Sequence, residues 1–247
     1  MARPWIIGHR GASAIAPENT LAAFERAFRD GADGIELDVT LSSEGVPMVI
    51  HDDTLERTAA GQGWVWKRSV FDLKALDAGS WFGASFSSER IPTLVEVLDL
   101  ARGRGVVNVE IKSSREAAQN GGPSPKALAR AVTRVLDAHA EPGTIVVSSF
   151  DPRVLRRVAA MAPSLELGFL RSSRQFRPWT PLAWWAHAHY VHPDVPLVDE
   201  AARFAGGYEK LIVWTVDGPF EQERLASAGV KAIITNRPGE TRKRLGP

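Results

Sequence analysis

The sequence predicts a (β/α)8 TIM barrel, a closed parallel sheet surrounded by helices, from three observations. Short apolar runs alternate with amphipathic helical segments, which is the pattern of parallel strands joined by crossover helices. About eight such runs can be counted, and eight is the strand number of this barrel. The chain has 247 residues, close to the usual length of one such domain. We therefore predict a single barrel domain over residues 1–247, with a doubly wound open sheet as the alternative fold.

The first strand and the first helix are marked by an apolar run and by a capping signal. Residues 5–8 form the apolar run, which leads into His9. The helix begins after Asn19 or Thr20, either of which can cap it, and apolar residues then recur at helical spacing until a glycine ends it. The second strand, at 35–39, has apolar side chains on one face and acidic side chains on the other.

The later elements follow from the same periodicities. The predicted helices are 93–104, 125–138, 152–161, 221–228 and a final helix capped by residues 236–238. The predicted strands are 106–111, 145–150, 166–170, 190–192, 211–216 and 232–235. This alternation of helices and strands is what parallel pairing requires.

A long segment interrupts the alternation after the second strand. A short apolar run at 46–50 leads into His51, and residues 54–91 then lack a crossover helix apart from a short helical segment at 71–76. A connection of this length inside a compact domain is usually functional or disordered. Its tryptophan and phenylalanine residues favour a packed structure, so we predict a small inserted cap over one end of the barrel.

The composition excludes several classes of protein. A net charge of +1 gives no general attraction for nucleic acid or for an anionic membrane, and we expect neither as a partner. The absence of cysteine rules out disulfides and thiolate metal sites. The chain lacks an apolar run of the roughly 20 residues that a membrane helix needs, and its first residues become charged too early for a signal peptide. We therefore predict a cytoplasmic protein that does not insert stably into a membrane.

Polar side chains collect at the predicted ends of the strands. They are His9, Arg10, Glu36, Asp38, His51, Glu110, Lys112, Trp214 and Asp217. In barrels of this type the active site lies at the C-terminal ends of the strands. Charged groups beside apolar strands are costly to bury unless they are paired or bound to a metal. This distribution therefore predicts that these residues converge on one active site.

The residue types indicate the chemistry of that site. Glu36, Asp38 and Glu110 provide a set of oxygen ligands, which suits a hard cation such as Mg²⁺ or Ca²⁺. Basic side chains nearby, from Arg10 and Lys112, can bind the oxygens of a phosphate. Two imidazoles, those of His9 and His51, can act as general acid and base near neutral pH. Together these groups are what hydrolysis of a phosphodiester requires.

The motifs that carry these residues resemble those of the glycerophosphodiester phosphodiesterase family. They occur in the order of that family and are His9-Arg10-Gly11, Pro17-Glu18-Asn19-Thr20, Glu36-Leu37-Asp38-Val39, residues 51–58, Glu110-Ile111-Lys112, Ser148-Ser149-Phe150 and Trp214-Thr215-Val216. The resemblance implies a barrel, a divalent metal, and hydrolysis of small glycerophosphodiesters to glycerol 3-phosphate and an alcohol. It also implies that the glycerol 2-hydroxyl is the attacking group.

Residue roles are carried over by matching each motif. The resemblance implies that Glu36, Asp38 and Glu110 bind the metal and that His9 and His51 are the catalytic acid/base pair. It implies that the substrate is bound by Arg10, Lys112 and Trp214. The family usually has Asn after Trp-Thr-Val, and this chain has Asp217 there. Glu18 is interpreted as a residue that caps the first helix.

Two alternative functions are kept beside this prediction. A lysophospholipase D or sphingomyelinase-D-like phosphodiesterase would need an apolar groove in the insertion, which contains Trp64, Trp66 and Trp81. A barrel that binds metal or phosphate without turnover would be favoured by loss of either histidine. Both His9 and His51 are present, which favours an enzyme.

Overall fold

A computed structural model describes residues 3–139, 141, 143–174 and 186–246. Its sheet contains eight parallel strands in sequence alternation with helices, and a ninth short strand, β3, that runs antiparallel to β2. The strands are β1 (Trp5–His9), β2 (Gly34–Leu41), β3 (Pro47–Val49), β4 (Val106–Ile111), β5 (Ile145–Ser149), β6 (Glu166–Arg171), β7 (Tyr190–Pro193), β8 (Ile212–Val213) and β9 (Ala232–Thr235). The order β7-β6-β5-β4-β2-β1-β9-β8 is that of a barrel.

The sheet closes between β7 and β8. Isolated parallel bridges join Val191 to Leu211 and Asp194 to Trp214 across this gap. The first and last strands pair directly, with β1 between β2 and β9. The predicted (β/α)8 barrel is therefore confirmed, and the open-sheet alternative is wrong.

Nine α-helices occur in the described part of the chain. They are α1 (Leu21–Arg29), α2 (Val70–Ala75), α3 (Leu94–Ala101), α4 (Arg115–Gln119), α5 (Pro125–His139), α6 (Pro152–Met161), α7 (Val198–Ala205), α8 (Pro219–Ala228) and α9 (Pro238–Leu245). The helices α4 and α7 were not predicted. The predicted strand at 211–216 is shorter than expected, because β8 has only two residues and its flanks are joined by bridges.

The hydrophobic core has two layers. An outer layer lies between the sheet and the surrounding helices and includes Phe24, Leu37, Val109, Leu128 and Phe169. An inner layer fills the barrel and contains Ile7, Val146, Ile212, Ala232 and Ile234. Burial of both faces explains why most strand sequences are nearly continuous apolar runs, into which the acidic residues of β2 and β4 are inserted.

The segment between residues 54 and 91 is structured and has its own small core. Thr54 bridges to Trp64, the short helix α2 follows, and the tryptophan rings of Trp64 and Trp66 stack at 4.8 Å. Apolar residues of the segment, including Leu55 and Leu73, pack with others from β3 and its C-terminal extension. That this segment acts as a cap, and that the chain is one domain, remain predictions.

A search of the described helices finds none with both the length and the apolar composition needed to cross a membrane.

Candidate active site

The C-terminal ends of the strands bring the predicted site residues together. His9 ends β1 and lies opposite Glu36 of β2, while Asp38 lies opposite Glu110 of β4. Lys112 directly follows β4. These side chains alternate with apolar residues of the outer core, so the strand geometry points them into the barrel mouth.

Three buried carboxylates form the centre of this mouth. One oxygen from each of Glu36, Asp38 and Glu110 can be chosen so that all three lie within 4.8 Å of one another. The residues are 3%, 1% and 9% exposed, respectively. Carboxylates this close repel one another when charged, and oxygen ligands suit a hard divalent ion. The set of ligand atoms therefore fits the predicted cation.

Two cationic side chains lie against these carboxylates. Arg10 Nε is 3.1 Å from Asp38 Oδ2, and the Arg10 backbone N–H donates to Glu36 at 2.9 Å. Lys112 Nζ donates to Glu110 at 3.0 Å and lies 3.4 Å from Asp38 Oδ1. An anionic group bound beside the carboxylates would therefore meet two positive charges.

The charges within the mouth are unevenly balanced. Burial alone would raise the pKa of Asp38, but Lys112 and Arg10 hold it well below its usual range. Burial raises the pKa of Glu36 well above its usual range, and the charges of Asp38 and Glu110 add to this effect. Glu36 is thus the carboxylate whose negative charge the protein compensates least, which is consistent with a site that also holds a cation.

Asn19 fixes the Asp38 carboxylate. Its Nδ2 donates to Asp38 Oδ2 at 2.9 Å, and the Asp38 backbone N–H donates to Asn19 Oδ1 at 3.3 Å. Asn19 and Arg10 both have left-handed backbone conformations, with φ of 58° and 54°. Such conformations are uncommon outside glycine and often occur at functional sites. The actual cap of α1 is Thr20, which accepts from the N–H of Ala23.

His9 is held by hydrogen bonds that run through Asn236 to Asp217. Its Nδ1 is 2.7 Å from Asn236 Oδ1, and Asn236 Nδ2 donates to Asp217 Oδ2 at 2.6 Å. The second Asp217 oxygen accepts the Asn236 backbone N–H at 2.8 Å. Because the amide N–H group faces Asp217, its oxygen faces His9, and this assigns the proton to Nδ1 and leaves Nε2 as an acceptor. Burial and the charge of Arg10 lower the pKa of His9 to about 4.

This arrangement corrects the expected role of Asn236 and explains Asp217. The N-cap of α9 is Arg237, and the Asn236 side chain instead contacts His9 in the mouth. A carboxylate at position 217 can accept both N–H groups of Asn236, and it also accepts the Thr235 hydroxyl at 2.9 Å. Asp217, where the resemblance implies an Asn, therefore provides a charged acceptor for this loop.

His51 lies beyond the C-terminal end of β3 and is paired with a carboxylate. Its Nδ1 is 2.5 Å from Asp52 Oδ1, and its side chain is 31% exposed. Burial would raise the pKa of Asp52, but hydrogen bonds from Arg57 and His51 lower it to about 2. The ionised Asp52 carboxylate therefore fixes the orientation of the His51 ring through Nδ1.

Trp214 forms part of the wall near the floor of the mouth. It borders a cavity of about 10 Å³ together with His9, Glu36, Glu110 and Leu170. Its indole N–H donates to the backbone oxygen of His192 at 2.8 Å, which fixes the ring plane. The structure thus places Trp214 beside the other predicted residues.

Beneath the mouth lies a buried histidine that the site does not use. His192 on β7 is fully buried, and a Cβ atom added to Gly168 would lie 2.1 Å from its Nε2. Glycine at 168 therefore permits the close approach of the ring. Neither ring nitrogen has a hydrogen-bond partner among the described residues. Burial lowers the pKa of His192 to about 3.

His192 should make folding stability depend on pH. Its folded pKa of about 3 lies below the value near 6.5 of an unfolded histidine, so the unfolded chain binds more protons between these pH values. Stability should fall as pH decreases through this window, by up to about 1.4 kcal/mol per pH unit from this group. The measurement is urea unfolding of the wild type and His192→Gln between about pH 4.5 and 7.5, a range that covers the upper part of this window and the pH values just above it. Identical pH dependences of the two proteins would contradict this expectation.

Comparison with known proteins identifies the family. Residues 9–240 match the model of the Glycerophosphoryl diester phosphodiesterase family. The chain belongs to this family. A relative named glycerophosphodiester phosphodiesterase from Caldanaerobacter subterraneus is 40% identical over 238 residues, which cover 94% of each chain. A Bacillus subtilis protein of the same name is 32% identical over 246 residues, covering 94% of this chain and 83% of that protein.

Solved structures of family members have the same fold. A phosphodiesterase of Oleispira antarctica, solved in complex with the product sn-glycerol-3-phosphate, superposes with a TM-score of 0.88 at 29% identity. The alignment covers 98% of this chain and 97% of that protein. A glycerophosphodiester phosphodiesterase from Agrobacterium tumefaciens gives a TM-score of 0.77 at 29% identity, covering 97% and 99% of the two chains.

Proposed function

We propose that this protein hydrolyses small glycerophosphodiesters to glycerol 3-phosphate and an alcohol. The observation that carries the proposal is the set of three buried carboxylates with Arg10 and Lys112 against them, between two imidazoles at one barrel end. Membership of the family supports it, as does the glycerol 3-phosphate bound in the Oleispira relative.

We propose that Glu36, Asp38 and Glu110 hold one divalent cation, Mg²⁺ or Ca²⁺. Three clustered, buried carboxylate oxygens support this choice, because hard cations prefer oxygen ligands. When bound, such an ion polarises phosphate oxygens and lowers the pKa of a nearby hydroxyl.

Arg10, Lys112 and Trp214 are proposed to bind the substrate. The two cations would neutralise the phosphodiester oxygens, and the guanidinium can hold two oxygens at once. The Trp214 ring would contact the apolar face of the glycerol. The buried stems of Arg10 and Lys112, with side chains 17% and 19% exposed, limit their movement and so fix where the phosphate lies.

The contacts of the two histidines support different tasks for them. Because His9 Nδ1–H donates a hydrogen bond to Asn236 Oδ1, the unprotonated Nε2 of His9 can accept the proton of the attacking glycerol 2-hydroxyl. Because Asp52 fixes the His51 ring through Nδ1, we assign His51 as the acid that donates a proton to the leaving alkoxide. The oxygen of the 2-hydroxyl forms a bond to phosphorus, and the bond between phosphorus and the oxygen of the leaving alcohol breaks. Water then opens the cyclic glycerol phosphate with the proton transfers reversed.

The insertion is proposed to act as a cap that shapes substrate choice. A cavity bordered by barrel residues and by Thr58 and Ala78 of the insertion has a volume of about 10 Å³, room for about one water molecule. The same cavity is bordered by Glu18 and His51, so the insertion lies where it can influence which leaving alcohol the site accepts.

The products of glycerophosphocholine test the proposed reaction. We expect choline and glycerol 3-phosphate, identified by ³¹P NMR, since the glycerol 2-hydroxyl can reach the phosphorus. A matched analogue with hydrogen in place of that hydroxyl should bind but turn over very slowly, because it lacks the tethered nucleophile.

Three outcomes would count against parts of the proposal. Release of phosphocholine and glycerol would mean that the other ester bond is cleaved. Hydrolysis of the analogue at the rate of the parent would mean that water attacks first. Faster turnover of lysophosphatidylcholine than of glycerophosphocholine would favour the lysophospholipase D alternative.

A further inference from the structure

Arg57, at the start of the insertion, connects two carboxylates, those of Glu18 before α1 and Asp52 after β3. Its Nη1 and Nη2 donate to the two oxygens of Glu18, both at 2.8 Å. Its Nε and Nη2 donate to the two oxygens of Asp52 at 2.5 and 3.1 Å. One planar guanidinium thus forms a two-point contact with each carboxylate, a geometry that an ammonium group cannot reproduce.

Glu18 also binds Arg10. Its Oε1 accepts from Arg10 Nη1 at 2.7 Å, so this carboxylate is shared by two arginines. Burial would raise the pKa of Glu18, but its hydrogen bonds to Arg57 and Arg10 keep it below its usual range. The contacts correct the expectation that Glu18 is a helix cap, since Thr20 caps α1.

The other end of the connection reaches His51. Asp52 contacts His51 Nδ1 at 2.5 Å on the oxygen that also receives Arg57 Nη2. The contacts therefore run without a break from Arg10 through Glu18, Arg57 and Asp52 to His51. One end is Arg10, the proposed phosphate ligand directly after β1, and the other is His51, the proposed acid after β3.

We propose that Arg57 is a positioning residue that sets the orientation of His51 and Arg10, an inference that rests on the proposed function. Without Arg57, Asp52 loses both hydrogen bonds that fix its plane, and the His51 ring loses a fixed partner. Glu18 loses its two-point contact, and the Arg10 guanidinium can rotate away from the phosphate position. The insertion therefore contributes directly to the geometry of the mouth through this side chain.

The alternative explanation is that Arg57 forms an ordinary surface ion pair with Glu18 and Asp52. The Arg57 side chain is 45% exposed, and exposed pairs contribute little to stability. The two explanations differ in what they predict for the folded protein. An ordinary ion pair affects the folded fraction alone, whereas a positioning residue changes turnover and binding per folded molecule.

Kinetics can separate the two parts of the connection, the contact of Asp52 with His51 and the contact of Glu18 with Arg10. Asp52→Asn should lower kcat with little change in KM, because it acts on His51. Glu18→Gln should mainly raise KM, because it acts on Arg10. Arg57→Ala should do both, lowering kcat by about 10- to 100-fold, the effect typical of residues that orient a functional group. Arg57→Lys should remain impaired, since it keeps the charge and loses the two-point geometry.

Two controls complete the experiment. Arg68→Ala removes another arginine of the insertion, whose guanidinium donates to the backbone oxygen of Gln62 at 3.0 Å, and should retain wild-type kinetics. Added guanidinium ion should partly restore Arg57→Ala and leave Arg68→Ala unchanged. Thermal unfolding establishes that each variant is folded at the assay temperature.

An activity-independent measurement distinguishes this inference from the proposed function. The ¹⁵N shifts of the His51 ring should change in Arg57→Ala and not in Arg68→Ala. Wild-type kinetics and unchanged His51 shifts in folded Arg57→Ala would overturn the inference. A wild-type protein that does not hydrolyse glycerophosphodiesters would instead overturn the proposed function, while the ring shifts would still decide the role of Arg57.

Discussion

Removal of divalent cations is expected to abolish glycerophosphodiester hydrolysis, and added Mg²⁺ or Ca²⁺ should restore it. The reason is the charge distribution in the mouth, where burial and two neighbouring carboxylates raise the pKa of Glu36. A cation at this position would relieve that repulsion and would contact the substrate phosphate. The measurement is turnover after treatment with chelator and desalting, followed by titration with each metal.

Glu36→Gln tests the site without an activity assay. The amide keeps the shape of the side chain and removes its charge, so calorimetry should show at least tenfold weaker metal binding, about 1.4 kcal/mol or more. The metal-free variant should be at least as stable as the metal-free wild type, because a repulsive charge is gone. Glu25→Gln, at an exposed carboxylate of α1 that pairs with Arg104, is the matched control and should bind metal normally. Full activity in excess chelator would refute the metal requirement.

Replacement of either His9 or His51 by alanine should lower turnover by about 10²- to 10⁴-fold, the usual contribution of a positioned acid or base. The double variant should be little worse than the slower single variant, since both side chains serve one proton-transfer sequence. The measurement is kcat on glycerophosphocholine, with His139→Ala on the outer helix α5 as a control.

A substrate with a p-nitrophenol leaving group separates the two histidines. This group leaves as an anion without a proton, so a missing general acid costs little. His51→Ala should therefore recover most of its activity on such a substrate, whereas His9→Ala should stay slow. The reverse pattern would exchange the two assignments, and recovery of neither would mean that His51 is not the acid.

The sequence was most informative where a residue sits on a strand. Alternation of side chains places Glu36 and Asp38 on one face of β2, and pairing with β4 places Glu110 beside them. This placement does not depend on the conformation of the loops. The helix α7 was detectable but missed: its sequence has acidic residues in the first turn and a glycine at its C-cap.

Residues on loops were harder to assign from the sequence. Asn19 and Asn236 look like helix caps, and their contacts with Asp38 and His9 depend on how each loop turns. Arg57 looks like a charged loop residue, and its contact with Glu18 crosses 39 positions of sequence. Such contacts follow from tertiary structure, which local periodicity does not encode. Asn236 directly follows β9, as Arg10 directly follows β1, and this position is the signal in the sequence that indicates a place in the mouth.

The closure of the barrel at β8 gives the two sides of the mouth different stiffness. β2 pairs with β4 continuously from Gly34 to Val39, which holds the carboxylate side as a rigid wall. On the Trp214 side, β8 has two residues and joins β7 through isolated bridges. Segments with few backbone hydrogen bonds open at low free energy. We therefore expect the backbone amides at the junction of β7 and β8 to exchange their hydrogens faster than those between β2 and β4.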